Sequence, residues 1–251
     1  MSGHSKWATI KHKKGALDAK RGKIFTRIIK ELTVAARGGG GDPDMNPRLR
    51  TIIGDAKAAN MPAENIKRAI RRGTGEEPGV SYEEASYEGY GPGGAAVIID
   101  VLTDNKNRTA GEIRHLLEKW GGNLAAPNAV AWMFNKKGHV VVEKSKAPAI
   151  DEEKLMTAVL EAGADDLQAD DPDAYEIYAA PENFEPVRQA LETAKIPTIE
   201  AKLGMIPQNY ISLDENKSKQ VMKLLETMDD HDDVQNVWSN FDIPEEMMEG
   251  A

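Results

Sequence analysis

From residue 23 onward the chain repeats its apolar positions with a helical period. Phe25, Ile28, Ile29, Leu32 and Ala36 recur at i, i+3, i+4 and i+7, which places them on one face of a helix. At 100° per residue, Lys23, Arg27, Lys30 and Arg37 fall on the opposite side. Gly38 to Gly41 end this helix. Asn46 then caps a second, with Pro47 at its first position and Leu49, Ile52, Ile53 and Ala56 facing inward. Pro62 opens a third, with Ile66, Ala69 and Ile70 inside and Lys67, Arg68, Arg71 and Arg72 on the far side. Three short amphipathic helices with brief links predict a small bundle over 23–75. Gly73 to Gly79 read as a linker.

Beyond the linker the pattern alternates between strands and helices. Ala95–Leu102 predicts a buried strand, and Thr109 and Glu112 have capping-box spacing ahead of Ile113, Leu116, Leu117 and Trp120. Ala129–Phe134 predicts the next strand, completing a β-α-β unit. A whole β-α-β-β-α-β series follows: strands at Val140–Glu143, Asp165–Ala169, Tyr175–Ala180 and Thr198–Leu203, with helices lined by Leu155, Val159 and Ala162 and by Val187, Leu191 and Ala194. A second β-α-β closes the chain, with strands at Tyr210–Leu213 and Val234–Phe241 around a helix capped by Asp214. Two separated halves flanking a complete series predict one ferredoxin-like domain inserted into another. The expected fold class is α+β multidomain: a three-helix bundle plus two ferredoxin-like domains. The boundaries are 80–135 with 205–245 for the discontinuous domain and 136–204 for the insert.

Residues 1–22 follow neither period. Lys6, Lys11, Lys13, Lys14, Lys20 and Arg21 are interleaved with single apolar residues, which predicts a basic arm that orders on a partner. Charge changes the picture further. Residues 1–72 hold 17 Lys/Arg against 6 Asp/Glu, leaving 15 against 35 of the chain's 32 and 41 for the remainder. The formal net charge of −9 therefore hides a basic head of +11, which suits a polyanionic partner. A solvated helix face usually mixes Lys with Glu, whereas 63–72 carries four cations and only Glu64.

Other chemistries find little support. The chain has no cysteine, which excludes disulfides, thiolate zinc sites and a Cys nucleophile. No apolar run approaches the ~18 residues of a membrane helix, and the basic start has no secretory apolar core. Gly89, Gly91 and Gly94 match the dinucleotide fingerprint, but a β-branched strand follows where a helix is needed, so a tight turn between strands is expected. Asp229, Asp230, Asp232 and Asp233 around His231 lack EF-hand spacing and predict a solvated acidic turn. His115 lies opposite the apolar face of its helix and is expected exposed. No catalytic residue, cofactor site or metal site is singled out.

Gly3–Thr26, Asn46–Gly75 (NPRLRTIIGDAKAANMPAENIKRAIRRGTG), Tyr87–Gly94 (YEGYGPGG) and Thr103–Thr109 (TDNKNRT) closely resemble the YebC/PmpR family over essentially the whole chain. The resemblance implies a helical domain and two α+β domains, the third inserted in the second. It implies a cytoplasmic, DNA-binding transcriptional regulator. The family also includes a mitochondrial translational activator, and bacterial members have been linked to ribosomes, so ribosomal RNA is the alternative target. The reading is a non-enzymatic regulator binding nucleic acid through Lys6, Lys11, Lys13, Lys14, Lys20, Arg21, Lys23, Arg27, Lys67, Arg68, Arg71 and Arg72. A protein partner for the acidic domains is left open.

Overall fold

The computed structural model describes residues 18–146, 151–171 and 173–242 of the 251. Lys6, Lys11, Lys13 and Lys14 lie outside them, as do the side chains of Lys20 and Arg21. The first helix, α1, spans Asp18–Gly39, so residues 18–22 are helical rather than part of an arm. Ala19, Lys20 and Arg21 are good helix formers, and one Gly is tolerated.

Helices α2 (Pro47–Ala58) and α3 (Ala63–Thr74) complete the bundle. Asn46 joins the first two as expected. Its side chain accepts from Leu49 N at 3.1 Å and donates to Ala35 O and Gly40 O, both at 2.9 Å. Leu32, Ala35, Ala36, Leu49, Ile52, Ala56, Ile66 and Ala69 form the bundle core. Gly73 is not linker. It is buried inside α3, where a Cβ would lie 2.4 Å from Thr33 O. The chain leaves the helix at Gly75, in the left-handed region with φ 85°.

The first sheet takes β1 (Glu83–Tyr90), β2 (Ala96–Thr103), β3 (Asn123–Leu124) and β8 (Val234–Ser239) in the order β3-β1-β2-β8. The second takes β4 (Phe134–Glu143), β5 (Ala164–Gln168), β6 (Ala174–Ala179) and β7 (Glu200–Pro207) in the order β5-β6-β4-β7. All sheet neighbours are antiparallel. Helices α4 (Lys106–Lys119) and α7 (Glu215–Asp229) cover the first sheet through Ile113, Leu117, Val221 and Leu224. Helices α5 (Glu152–Glu161) and α6 (Phe184–Thr193) cover the second through Leu155, Val159, Val187 and Leu191. The second unit is thus inserted between β3 and α7 of the first, and the fold is α+β multidomain.

Three details depart from the expected strands. Residues 129–133 are a bend and a 3-10 turn (Ala131–Met133), and the strand after α4 is the two-residue β3. Glu88 accepts from the amides of Asn128, Val130 and Ala131, which are thereby taken up outside any ladder. Tyr210–Leu213 contributes only the bridge Ile211↔Phe241. The first sheet instead gains β1, paired along its whole length with β2. Its sequence EEASYEGY reads as polar, yet Ala85, Tyr87 and Gly89 alternate toward the core.

Candidate nucleic-acid interface

The predicted basic residues divide into two groups according to what faces them. On α1, the side opposite the apolar stripe is not solvent. It lies against the turn joining α7 to β8. Lys23 pairs with Asp230 at 3.1 Å, Arg27 with Asp229 at 3.3 Å, and Lys30 with Asp233 at 2.7 Å. Lys30 also donates to Asp232 O at 2.9 Å and Leu102 O at 3.3 Å, and is itself buried. The helical wheel separates apolar from charged positions, but it cannot show that a second unit covers the charged side.

The acidic turn is correspondingly not a solvated loop. Asp233 is buried and sits at the centre of a polar network. One oxygen takes Lys30; the other accepts from Arg108 at 2.7 Å and Thr109 Oγ1 at 2.8 Å. Burial alone would push its carboxyl up, but Lys30, Arg108 and Thr109 outweigh it and hold it well below the carboxylate range. His231 Nδ1 accepts from Asp233 N at 3.1 Å, while Nε2 lies 3.0 Å from Glu112. Glu112, His231 and Asp233 offer ligand atoms within 4.8 Å of one another. Two cations already engage Asp233 and would oppose a metal ion, so the cluster reads as a structural joint between α1 and the first sheet.

The α3 cations face outward. Lys67, Arg68 and Arg72 are exposed and make no ion pair among the described residues. Arg71 is half-buried and holds Glu77 at 2.6 Å and Glu64 at 3.1 Å, so its charge is partly met within the helix and the turn after it. The open groove beside α3 is lined by Gly41, Asp42, Lys67, Ile70, Arg71, Thr74 and Glu76, so it mixes both signs of charge. The burial of Ile66 and Ala69 fixes the helix so that Lys67, Arg68 and Arg72 project from one accessible side. Arg37 is engaged in holding the linker, donating to Tyr82 O at 2.8 Å and Ser81 Oγ at 2.9 Å. Arg48 pairs with Glu84.

The Gly-rich turn at 91–94 joins β1 to β2, with Gly91 N donating to Ala95 O at 2.7 Å. A strand follows it, so no helix N-terminus is presented to a pyrophosphate. His115 is exposed.

Two family models together match nearly all of the chain. Residues 5–76 match the TACO1/YebC protein N-terminal domain, and residues 82–241 match the TACO1/YebC second and third domain. The chain belongs to the TACO1/YebC family. A protein of Acidobacterium capsulatum is 61% identical over 97% of both chains, and one of Geobacter sulfurreducens is 55% identical over 99% of both. Each is named a probable transcriptional regulatory protein. The crystal structure of a conserved hypothetical protein from Aquifex aeolicus is 45% identical, covers 94% of this chain and 96% of its own, and superposes with a TM-score of 0.85.

Within this family fold, sequence reasoning missed the joint. Lys30, Arg108 and Asp233 lie 72 to 203 positions from their partners, and no local period links them. The available signal was charge complementarity: the acidic run 229–233 is opposite in sign to the cation stripe of α1.

Proposed function

We propose that this chain is a non-enzymatic regulator of gene expression that binds nucleic acid, DNA foremost, in the cytoplasm. The contacts are Lys67, Arg68, Arg71 and Arg72 on α3, together with the basic residues of the arm. The supporting observation is the division of the cations. Lys23, Arg27 and Lys30 are held by carboxylates, whereas Lys67, Arg68 and Arg72 are exposed with no ion pair among the described residues. Unpaired cations on a rigid helix can neutralise phosphates and release counterions, the dominant source of such affinity. Lys23 and Arg27 therefore act in this reading as fasteners of the bundle, with phosphate contact left to α3 and the arm. The names of the relatives point to transcription rather than another arm of gene expression. The test is crosslinking in living cells with sequencing of both DNA and RNA. Enrichment of promoter DNA supports the reading. Enrichment of ribosomal RNA over DNA would overturn the preference for DNA and make the protein a translation factor.

A further inference from the structure

Within the acidic part of the chain two acid-free segments meet, and an exposed aromatic ring stands in one of them. Residues 119–142 and 201–213 contain no Asp or Glu, although residues 73–251 hold 35 acids. The two segments meet where β4 pairs with β7, with Phe134 opposite Pro207 and Asn135 opposite Ile206. Trp132, just before β4, is 67% exposed. Asn128, Asn135, Lys136, Gln208 and Asn209, from the same two segments, are also exposed.

A single exposed hydrophobic residue usually needs no explanation. Trp132 differs because its loop is held rigidly in place. Glu88 accepts from the amides of Asn128 at 2.7 Å and of Val130 and Ala131 at 2.8 Å. Burial pushes the Glu88 carboxyl up, but those three amides outweigh it and hold it below the usual range. Gln208 donates to Trp132 O at 2.9 Å, and Tyr90 OH donates to Ala129 O at 3.3 Å. The indole N–H is also engaged, donating to Ala129 O at 3.0 Å. What remains for solvent is the apolar ring, anchored by that bond.

We propose that Trp132 is a stacking platform for an unpaired base of a nucleic-acid strand. The proposal rests on the nucleic-acid reading above and adds a second contact to it. A prepositioned ring loses little freedom on binding, and every base offers a π-face to it. The flanking amide of Asn128 can meet a base edge and Lys136 a phosphate, while Gln208 Nε2 is held by Trp132 O and Asn135 Oδ1. The carboxylate that engages this loop, Glu88, is turned onto its amides. One ring among amides is too small an apolar area for a protein docking site, which buries several hundred Å² on each side.

The test uses the full chain and two labelled probes of about 12 nucleotides, oligo-dT and oligo-U, titrated by fluorescence anisotropy. Trp132→Ala should weaken binding to at least one probe by about tenfold, a plausible cost of losing one base–aromatic stack. Trp132→Phe should retain most of the affinity. The slope of log K against log salt should not change, because no phosphate contact is lost. A folded W132A chain that binds both probes as the wild type does overturns the proposal. So does a wild-type chain that binds duplex but neither probe. A parallel chain carrying K67E, R68E and R72E separates the two readings, since it should lower the salt slope whatever Trp132 does.

Discussion

At the scale of single residues, the joint between α1 and the acidic turn carries the largest energetic stake. Lys30 and Asp233 each keep only 7% of their side-chain surface exposed. Removing one partner of such a pair leaves the other charge buried and typically costs about 3–5 kcal/mol. Asp233→Ala should therefore lower chemical stability by roughly that amount in urea melts. A change within ~0.5 kcal/mol, typical of surface sites, would show that the network does not hold the bundle. Glu31 makes the opposite case. Burial, reinforced by Asp55, raises its carboxyl against the partial relief of Arg48, Arg27 and Lys202. A carboxyl raised by folding binds its proton more tightly in the native state, so its contribution to stability falls as pH rises through that raised range. Glu31→Gln removes this penalty. It should raise Tm near pH 7.5 by about 2–4 °C, the effect of ~1 kcal/mol in a chain this long. The gain should shrink toward pH 5. A lower Tm at pH 7.5 would mean that the carboxylate is needed where it sits.

At the scale of elements, two helical glycines should respond with opposite signs to the same substitution. Gly→Ala in a helix interior normally gains about 0.5–1 kcal/mol. Gly111 in α4 has nothing within 4 Å of an added Cβ, so Gly111→Ala should stabilise. At Gly73 the Cβ would meet Thr33 O at 2.4 Å and Ala36 Cβ at 2.7 Å. A backbone carbonyl cannot rotate away, so overpacking of about 1–3 kcal/mol should exceed the helix gain. Thermal melts followed by circular dichroism would decide it, and a higher Tm for G73A would refute the close approach of α1 and α3. These glycines also show what the sequence makes legible. The bundle helices, the Asn46 cap and the nested β-α-β-β-α-β series follow from local period and capping chemistry. The capping box read at Thr109 instead lies inside α4, which Asn105 caps by accepting from Arg108 N. Gly73 looked like linker because its reason for being Gly lies across a helix–helix contact. Strand β1 was hidden because its outward positions, Glu84, Ser86 and Glu88, are polar enough to mask the alternation of Ala85, Tyr87 and Gly89. Of the candidate interface, the α3 cations could be located from the chain alone. The pairing of Lys23 and Arg27 could not, because their partners lie 207 and 202 residues away.

At the scale of the whole molecule, the charge split has two consequences. Part of the basic head is neutralised internally, binding the bundle to the first α+β unit through Asp229, Asp230 and Asp233. The remainder, on α3 and the arm, is left for an anionic partner. The acidic units need not be inert toward that partner, since the segments 119–142 and 201–213, which meet beside Trp132, are free of acids. The central claim is that exposed α3 cations bind phosphate, and salt dependence tests it most directly. Duplex DNA should be titrated against the full chain and against one carrying Lys67→Glu, Arg68→Glu and Arg72→Glu, from low to moderate salt. For three lost phosphate contacts the account predicts weaker binding and a slope of log K against log salt reduced by about 0.9 per contact, with the melting curve nearly unchanged. An identical slope and affinity in a folded triple variant would contradict it.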